Sequence, residues 1–180
     1  MTEFEKNIKE KIVIELAKNL WIKNVMQYPR FEKIVLNMGI WTYVRAWWKD
    51  FSSLVNDLKL IAWQSPIVTY AKKSVSNFKL REWMPVWIKV TLRWDKMYAF
   101  LDKLVNIVLP RVRDFRWISP KAFDKAGNYN LWLKEHVIFP EVPQNDVVKP
   151  HWLQITIKMK VDKPEHAKSL LDWIGMPFKK

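Results

Sequence analysis

The sequence predicts an α+β fold, a mostly antiparallel sheet with helices packed on one face and a basic surface on the other. Three observations point there. The segments VWIKVTLR (86–93) and LQITIKMKV (153–161) alternate apolar and polar residues, the mark of strands buried on one face only. Three longer segments place apolar residues at helical spacing. The net charge is +13, from 31 Lys and Arg against 18 Asp and Glu, so the surface left open by the core is cationic. A chain of 180 residues suits one domain, 1–180, with an ordinary core.

The elements follow in order. Residues 3–20 carry Ile8, Ile12, Leu16 and Leu20 at helical spacing. FEKIVLNM (31–38) reads as a strand with Ile34, Leu36 and Met38 on one face and Lys33, Val35 and Asn37 on the other. Residues 50–62 form a helix that Asp50 can cap, with Leu54, Leu58 and Ile61 as its apolar stripe. PIVTY (66–70) is a short strand led by a proline, as suits a sheet edge. After strand 86–93, residues 95–109 form a helix with Met97, Phe100, Leu101, Leu104 and Val108 inward. YNLWLKEHVIF (129–139) is a further strand. The strand 153–161 precedes a last helix, which starts near Pro164.

Composition removes several function classes. Without cysteine there is no disulfide, thiolate metal site or Cys nucleophile, which fits a reducing cytoplasm. The N-terminal MTEFEKNIKEKIVIELAKN has no uncharged run and does not read as a secretory signal. No run of about eighteen apolar residues is present, so no membrane span is expected. His136, His151 and His166 lie apart and not at metal-ligand spacing, so each is expected at the surface or satisfied by local partners, and no metal is expected. There is no Gly-rich phosphate loop and no nucleophile elbow. Asp114, Asp124 and Glu135 flank basic residues, so ion pairing is expected for them rather than metal-dependent catalysis. We therefore expect no enzyme and no cofactor.

What remains is binding, and the charge makes a polyanion the leading partner. The cations are spread along the whole chain, which argues for a folded basic surface and not a tethered arm. The polar positions of the two best strands are Lys89, Thr91, Arg93, Gln154, Thr156, Lys158 and Lys160, with no carboxylate among them. A face of this kind can meet RNA phosphates and 2′-hydroxyls. Two loops add to it. YAKKSVSNFKLREWMP (70–85) sets Lys72, Lys73, Lys79 and Arg81 around Ser74, Ser76, Asn77 and Phe78. Phe78 suits either stacking on a base or anchoring the loop in the core. The segment 110–130 carries Arg111, Arg113, Arg116, Lys121 and Lys125, and is long for a connection in a compact domain.

Four stretches, VMQYPRFEKIVLNMG (25–39), YAKKSVSNFKLREWMPVWIKVTLRW (70–94), PRVRDFRWISPKAFDKAGNYNLWLKEHVIFPE (110–141) and the terminal GMPFKK, resemble one family. This is the bacterial large-subunit ribosomal protein number five, which binds 5S rRNA, and the resemblance runs from about residue 3 to the C-terminus. It implies a structural protein of the central protuberance in the cytoplasmic ribosome. Its implied partners are 5S rRNA, 23S rRNA, P-site tRNA, a small-subunit head protein across an intersubunit bridge, and neighbouring large-subunit proteins. Carried over by position, the 5S rRNA surface includes Asn37, Gln64, Phe78 and Thr91. The polar-face cations Lys33, Lys89 and Arg93 join it. Lys72, Lys73, Ser74, Ser76 and Asn77 would face tRNA, and Arg111, Arg113, Asp114 and Arg116 would lie toward the small subunit. A nucleic-acid-processing enzyme and a free-standing RNA chaperone are the alternatives for the same basic surface.

The departures from the family concentrate in one residue type. There are twelve Trp and three Gly, where ordinary composition gives roughly two and roughly thirteen. The family typically has Gly at Trp41, Trp63, Trp83, Trp87, Trp94, Trp117, Trp132 and Trp152, and often at Trp21. At Trp47 and Trp48 glycine would be ordinary. Trp21 and Trp63 each follow an amphipathic helix directly, where glycine is preferred because it enters the left-handed region without a Cβ penalty. We therefore expect a gene that reads UGA as Gly, rendered here with UGA as Trp. Trp173, inside the last helix, fits this least well, because Gly is unfavourable there.

Overall fold

The computed structural model describes residues 3–45, 51–112, 118–143, 151–161 and 163–178. Helix α1 comprises Glu3–Lys6, a π-helical stretch Asn7–Ile12, and Val13–Asn19. The widened turns rotate the apolar stripe. Ile8, Leu16 and Ala17 are buried, while the expected core residues Ile12 and Leu20 are half-buried. Glu5 is also buried, and its carboxylate accepts from Lys9 at 2.5 Å. That bond holds the Glu5 carboxyl below its usual range and the Lys9 ammonium above its own.

Strand β1 (Arg30–Gly39) leads into helix α2 (Trp41–Arg45), then helix α3 (Ser52–Ala62). The proposed cap Asp50 lies outside the described residues. Strand β2 (Ile67–Tyr70) and strand β3 (Pro85–Leu92) follow. Helix α4 comprises Trp94–Lys103, a π-helical stretch Leu104–Val108, and Leu109–Arg111. Pro110 offers no N–H and crowds the preceding turn, and the π stretch directly before it absorbs that defect. Strand β4 covers only Tyr129–Leu133, shorter than the expected 129–139. The chain leaves the sheet there because His136 opens a 3₁₀ turn (His136–Ile138) whose ring is fully buried. Strand β5 (Leu153–Lys160) and helix α5 (Pro164–Ile174) complete the order.

The five strands form one sheet in the order β2-β3-β1-β5-β4. β2 pairs antiparallel with β3. Ile40, after β1, donates its N–H to the Val86 carbonyl near the start of β3, so that pair is antiparallel too. Asn37 bonds Gln154 while Glu32 bonds Lys158. One number falls as the other rises, so β1 and β5 are antiparallel. Proline-led β2 forms one edge at four residues, a short edge of the kind that resists further pairing.

The chain forms two compact units. The first holds Met1–Ile34, Leu92–Leu131 and Thr156–Lys180, and buries Ile8, Leu16, Leu101, Leu104, Leu170 and Leu171. In it the segment expected as a long loop is partly structured. Tyr129 packs between Phe123 and Phe178 with ring centroids 4.7 and 5.4 Å away, and donates its hydroxyl to the Ser119 carbonyl. The second holds Val35–Thr91 and Trp132–Ile155, with Leu36, Met38, Leu58, Ile88, Leu153 and Ile155 buried. Among the described residues no helix is long and apolar enough to cross a membrane.

Candidate nucleic-acid interface

Alternation in β1, β3 and β5 places Leu36, Ile88, Val90 and Ile155 inward and puts Asn37, Lys89, Thr91 and Gln154 on the opposite face of the second unit. Lys89 is exposed, and the other three are half-buried. Asn37 donates through Nδ2 to Gln154 Oε1 at 3.3 Å, which holds two amides side by side across neighbouring strands. Gln64 joins them from the exit of α3, its Nε2 donating to the Thr91 carbonyl at 3.4 Å. The structure thus brings Gln64 against Thr91, and places Asn37 and Lys89 on adjacent strands of the same face. Among these residues the face offers amides, a hydroxyl and an ammonium. That set suits phosphate and 2′-hydroxyl contacts.

The loop between β2 and β3 is a closed hairpin. Val75 and Leu80 exchange two backbone hydrogen bonds around the turn Ser76–Phe78. Ser74 accepts the Glu82 N–H at 2.9 Å. Lys72, Lys73, Ser74, Ser76 and Asn77 are all exposed along it. Phe78 is 60% exposed, which settles its two readings against a core anchor. An aromatic ring held outward beside cations has the geometry to stack on a base.

In the first unit Lys33 is half-buried and Arg93 exposed. Arg93 borders a groove of about 1140 Å³, whose rim includes Arg30, Lys158 and Lys160 and whose wall includes Tyr28 and Trp94. Lys158 pairs with Glu32 at 3.1 Å, and this hydrogen bond holds the Glu32 carboxyl below its usual range. Arg30 lies within the stretch 25–39 but is not among the expected site residues. Its one signal is a cation at the first position of a strand. Arg111 is exposed in the last turn of α4, while Arg113, Asp114 and Arg116 lie outside the described residues. Asp124, expected in an ion pair, instead accepts from the Ala126 and Asn128 backbones and from the Asn128 side chain. Burial pushes its carboxyl up, but these donors outweigh that and leave it lowered.

Among the described residues no group of three potential ligands could hold a metal ion. The two buried histidines are satisfied by each other and by their neighbours. His136 Nδ1 accepts the His151 N–H at 3.0 Å, and its Nε2 faces Asp57 Oδ2 at 3.2 Å. The His151 ring bonds the Gly39 carbonyl through Nε2. Burial pushes the His151 imidazole below its usual value, against the opposing pull of its bond to the Gly39 carbonyl. These contacts span many residues in sequence, and nothing in the sequence announces them.

Two family models match the chain, ribosomal protein L5 over residues 24–81 and the C-terminus of the same ribosomal family over residues 85–178. Relatives are similar along their whole length. The large ribosomal subunit protein uL5 of Brevibacillus brevis is 49% identical, covering 96% of this chain and 98% of its own. The protein of the same name from Halothermothrix orenii is 47% identical, with 99% of each chain covered. That of Caldanaerobacter subterraneus is 44% identical over all of both chains. With both halves matched and an open basic face on the sheet, the chain belongs to the ribosomal protein L5 family.

Proposed function

We propose that the chain is a structural, non-enzymatic constituent of the large ribosomal subunit in the cytoplasm that binds 5S rRNA and helps fasten it to 23S rRNA. The observation that carries the RNA reading is the open face of Asn37, Lys89, Thr91 and Gln154, beside an exposed cationic loop. β3 and β5 contain no carboxylate at all. Asn37, Gln64, Thr91 and the exposed Phe78 would read 5S rRNA, with Lys33, Lys89 and Arg93 on its phosphates. The Lys72–Asn77 stretch would approach P-site tRNA. The segment beginning at Arg111 would meet a small-subunit head protein, and other large-subunit proteins would border the same domain.

Titration of 5S rRNA at several salt concentrations tests this reading. Phosphate contacts give a log–log slope of about 0.7–0.9 per neutralised phosphate, and Lys33→Ala, Lys89→Ala and Arg93→Ala should each reduce the slope by about one. Salt-independent binding, or metal-dependent cleavage of the RNA, would overturn it.

The native chain carries Gly at most of its Trp positions on this reading. Among the described residues five non-glycine positions have positive φ, and four are tryptophan: Trp21 (55°), Trp63 (49°), Trp83 (64°) and Trp94 (56°). Trp83 occupies the third position of a turn closed by Met84 N–H to the Arg81 carbonyl, where positive φ calls for glycine. All four indoles are largely exposed. Mass spectrometry of the native peptide 82–93 decides the matter, since it would be lighter by one indolylmethyl-for-hydrogen difference at each of Trp83 and Trp87. An unshifted mass would end the recoding reading.

A further inference from the structure

The groove that Arg93 borders lies wholly in the first unit, among α1, the start of β1, the first turns of α4 and the end of β5. Its lining differs from that of the polar sheet face. The buried side chains of Ile8, Phe31, Met97 and Met159 line it. Surface of this kind gains by covering apolar groups and not phosphates. Val25, which also lines the groove, is 67% exposed, and the adjoining Met26 is 73% exposed. Both are held in place by a closed turn. The Asn24 side chain accepts the Met26 N–H at 3.0 Å, and the Gln27 N–H bonds the Asn24 carbonyl. Exposed apolar residues gathered beside a groove mark a protein contact.

The charges say which protein chemistry fits. Arg30 and Lys160 stand exposed on the rim and pair with no carboxylate among the described residues. Lys158, by contrast, is already matched by Glu32. Asn128 lines the groove too. Its Nδ2 donates to Asp124, while its Oδ1 is buried with no hydrogen-bond partner among the described residues. A buried acceptor of that kind calls for a donor, and a peptide backbone brings N–H groups where a phosphate brings none. On the ribosomal reading above, which this inference needs, we propose that the groove holds an acidic, amphipathic segment of a second large-subunit protein. Its apolar side chains cover Ile8, Phe31, Met97 and Met159, and its carboxylates meet Arg30 and Lys160. Arg93 stays with the 5S rRNA surface. Glycine in place of Trp94, which stands on the wall, would widen the groove and remove none of these groups.

A zero-length carbodiimide, which joins an ammonium to a carboxylate in contact with it, tests this on isolated large subunits. Mass spectrometry should find Lys158 joined to Glu32 of the same chain, a pair 3.1 Å apart. It should also find Lys160 joined to an Asp or Glu of a second protein, within an apolar stretch. A synthetic peptide of that stretch should bind the full chain, and Val25→Asp with Arg30→Glu should weaken it about tenfold or more. Both residues are exposed, so circular dichroism should hold, and 5S rRNA affinity should stay within about twofold. Lys160 joined to no second protein while the Lys158–Glu32 link forms would overturn the groove site and leave the ribosomal reading intact. Peptide binding unchanged in the double variant would overturn it as well. A fall in 5S rRNA affinity instead would make the groove an RNA contact and end the protein assignment. Absence of the chain from large subunits would overturn both readings.

Discussion

Helices α1 and α5 end in the same way with different residues. After α1, Trp21 N–H bonds the Lys18 carbonyl and Ile22 N–H bonds the Ala17 carbonyl. After α5, Gly175 N–H bonds the Asp172 carbonyl and Met176 N–H bonds the Leu171 carbonyl. Each pair of bonds satisfies carbonyls that a helix end would leave orphaned, and each requires a left-handed residue between them. Gly175 supplies it at φ 96° without a Cβ. Trp21 supplies it at φ 55° with its indole 90% exposed. The comparison separates what the backbone demands from what the residue offers. Hydrogen-bond closure and an apolar residue after the turn set the geometry, and the indole contributes nothing to it. Lys79, at φ 52°, shows that a side chain can be held there without being suited to it.

The largest expected effect comes from removing the mismatch. A left-handed L-residue costs about 1–2 kcal/mol, so Trp21→Gly, Trp63→Gly, Trp83→Gly and Trp94→Gly together should add about 4 kcal/mol or more. A domain of this size gains about 2–4 °C per kcal/mol, so a thermal melt should shift up by about 10 °C. An unchanged midpoint would break the comparison between the two helix ends.

Glycine-to-alanine changes sharpen it from the other side. At Gly127, φ is 77° and a Cβ would lie 2.5 Å from Val161 Cγ2, so strain and overlap combine. Gly127→Ala should cost about 2–4 kcal/mol in denaturant unfolding. His136→Ala ranks next, at about 1–3 kcal/mol, because it leaves the His151 N–H and Asp57 without their partner. At Gly175 the nearest atom to a Cβ is Val105 Cγ1 at 3.8 Å, an ordinary contact. Gly175→Ala therefore reports backbone strain alone and should cost about 1 kcal/mol. If Gly175→Ala cost as much as Gly127→Ala, steric overlap would not be the difference between the two sites.

The strands were legible because alternation is a local signal, and Ile88, Val90, Ile155 and Ile157 are buried as the pattern requires. Helix positions were legible too, down to the left-handed exits at Trp21 and Trp63. The misreadings came from interactions that sequence distance hides. β4 stops at Leu133 because His136 is anchored by Asp57 and His151, far away along the chain. Asp124 turned out to organise its own turn instead of pairing with a cation, since donors two and four residues on are nearer. For the candidate site, residue type marked Asn37, Lys89 and Thr91, but the bond from Gln64 to the Thr91 carbonyl appears only in the fold.

The smallest effects are those of pH. Burial pushes the Tyr129 phenol up to about 12. Its contribution to stability is full below the unfolded value near pH 10 and is lost as pH rises toward 12, so ultraviolet titration should show Tyr129 ionising late, with Tyr98, which burial also raises, delayed as well. His151 is lowered by burial. The unfolded chain therefore binds that proton more readily, and stability should decline as pH falls below about 6.5, the unperturbed value. His151→Gln should flatten this acid limb.

On the proposed function the chain is a fixed component of the large ribosomal subunit. Sedimentation of a native lysate through a sucrose gradient, with quantification of the chain in each fraction, tests it directly. One copy per large subunit is expected, retained at moderate salt and recovered together with 5S rRNA. Recovery at the top of the gradient, or substoichiometric amounts that trade freely between RNAs, would contradict it.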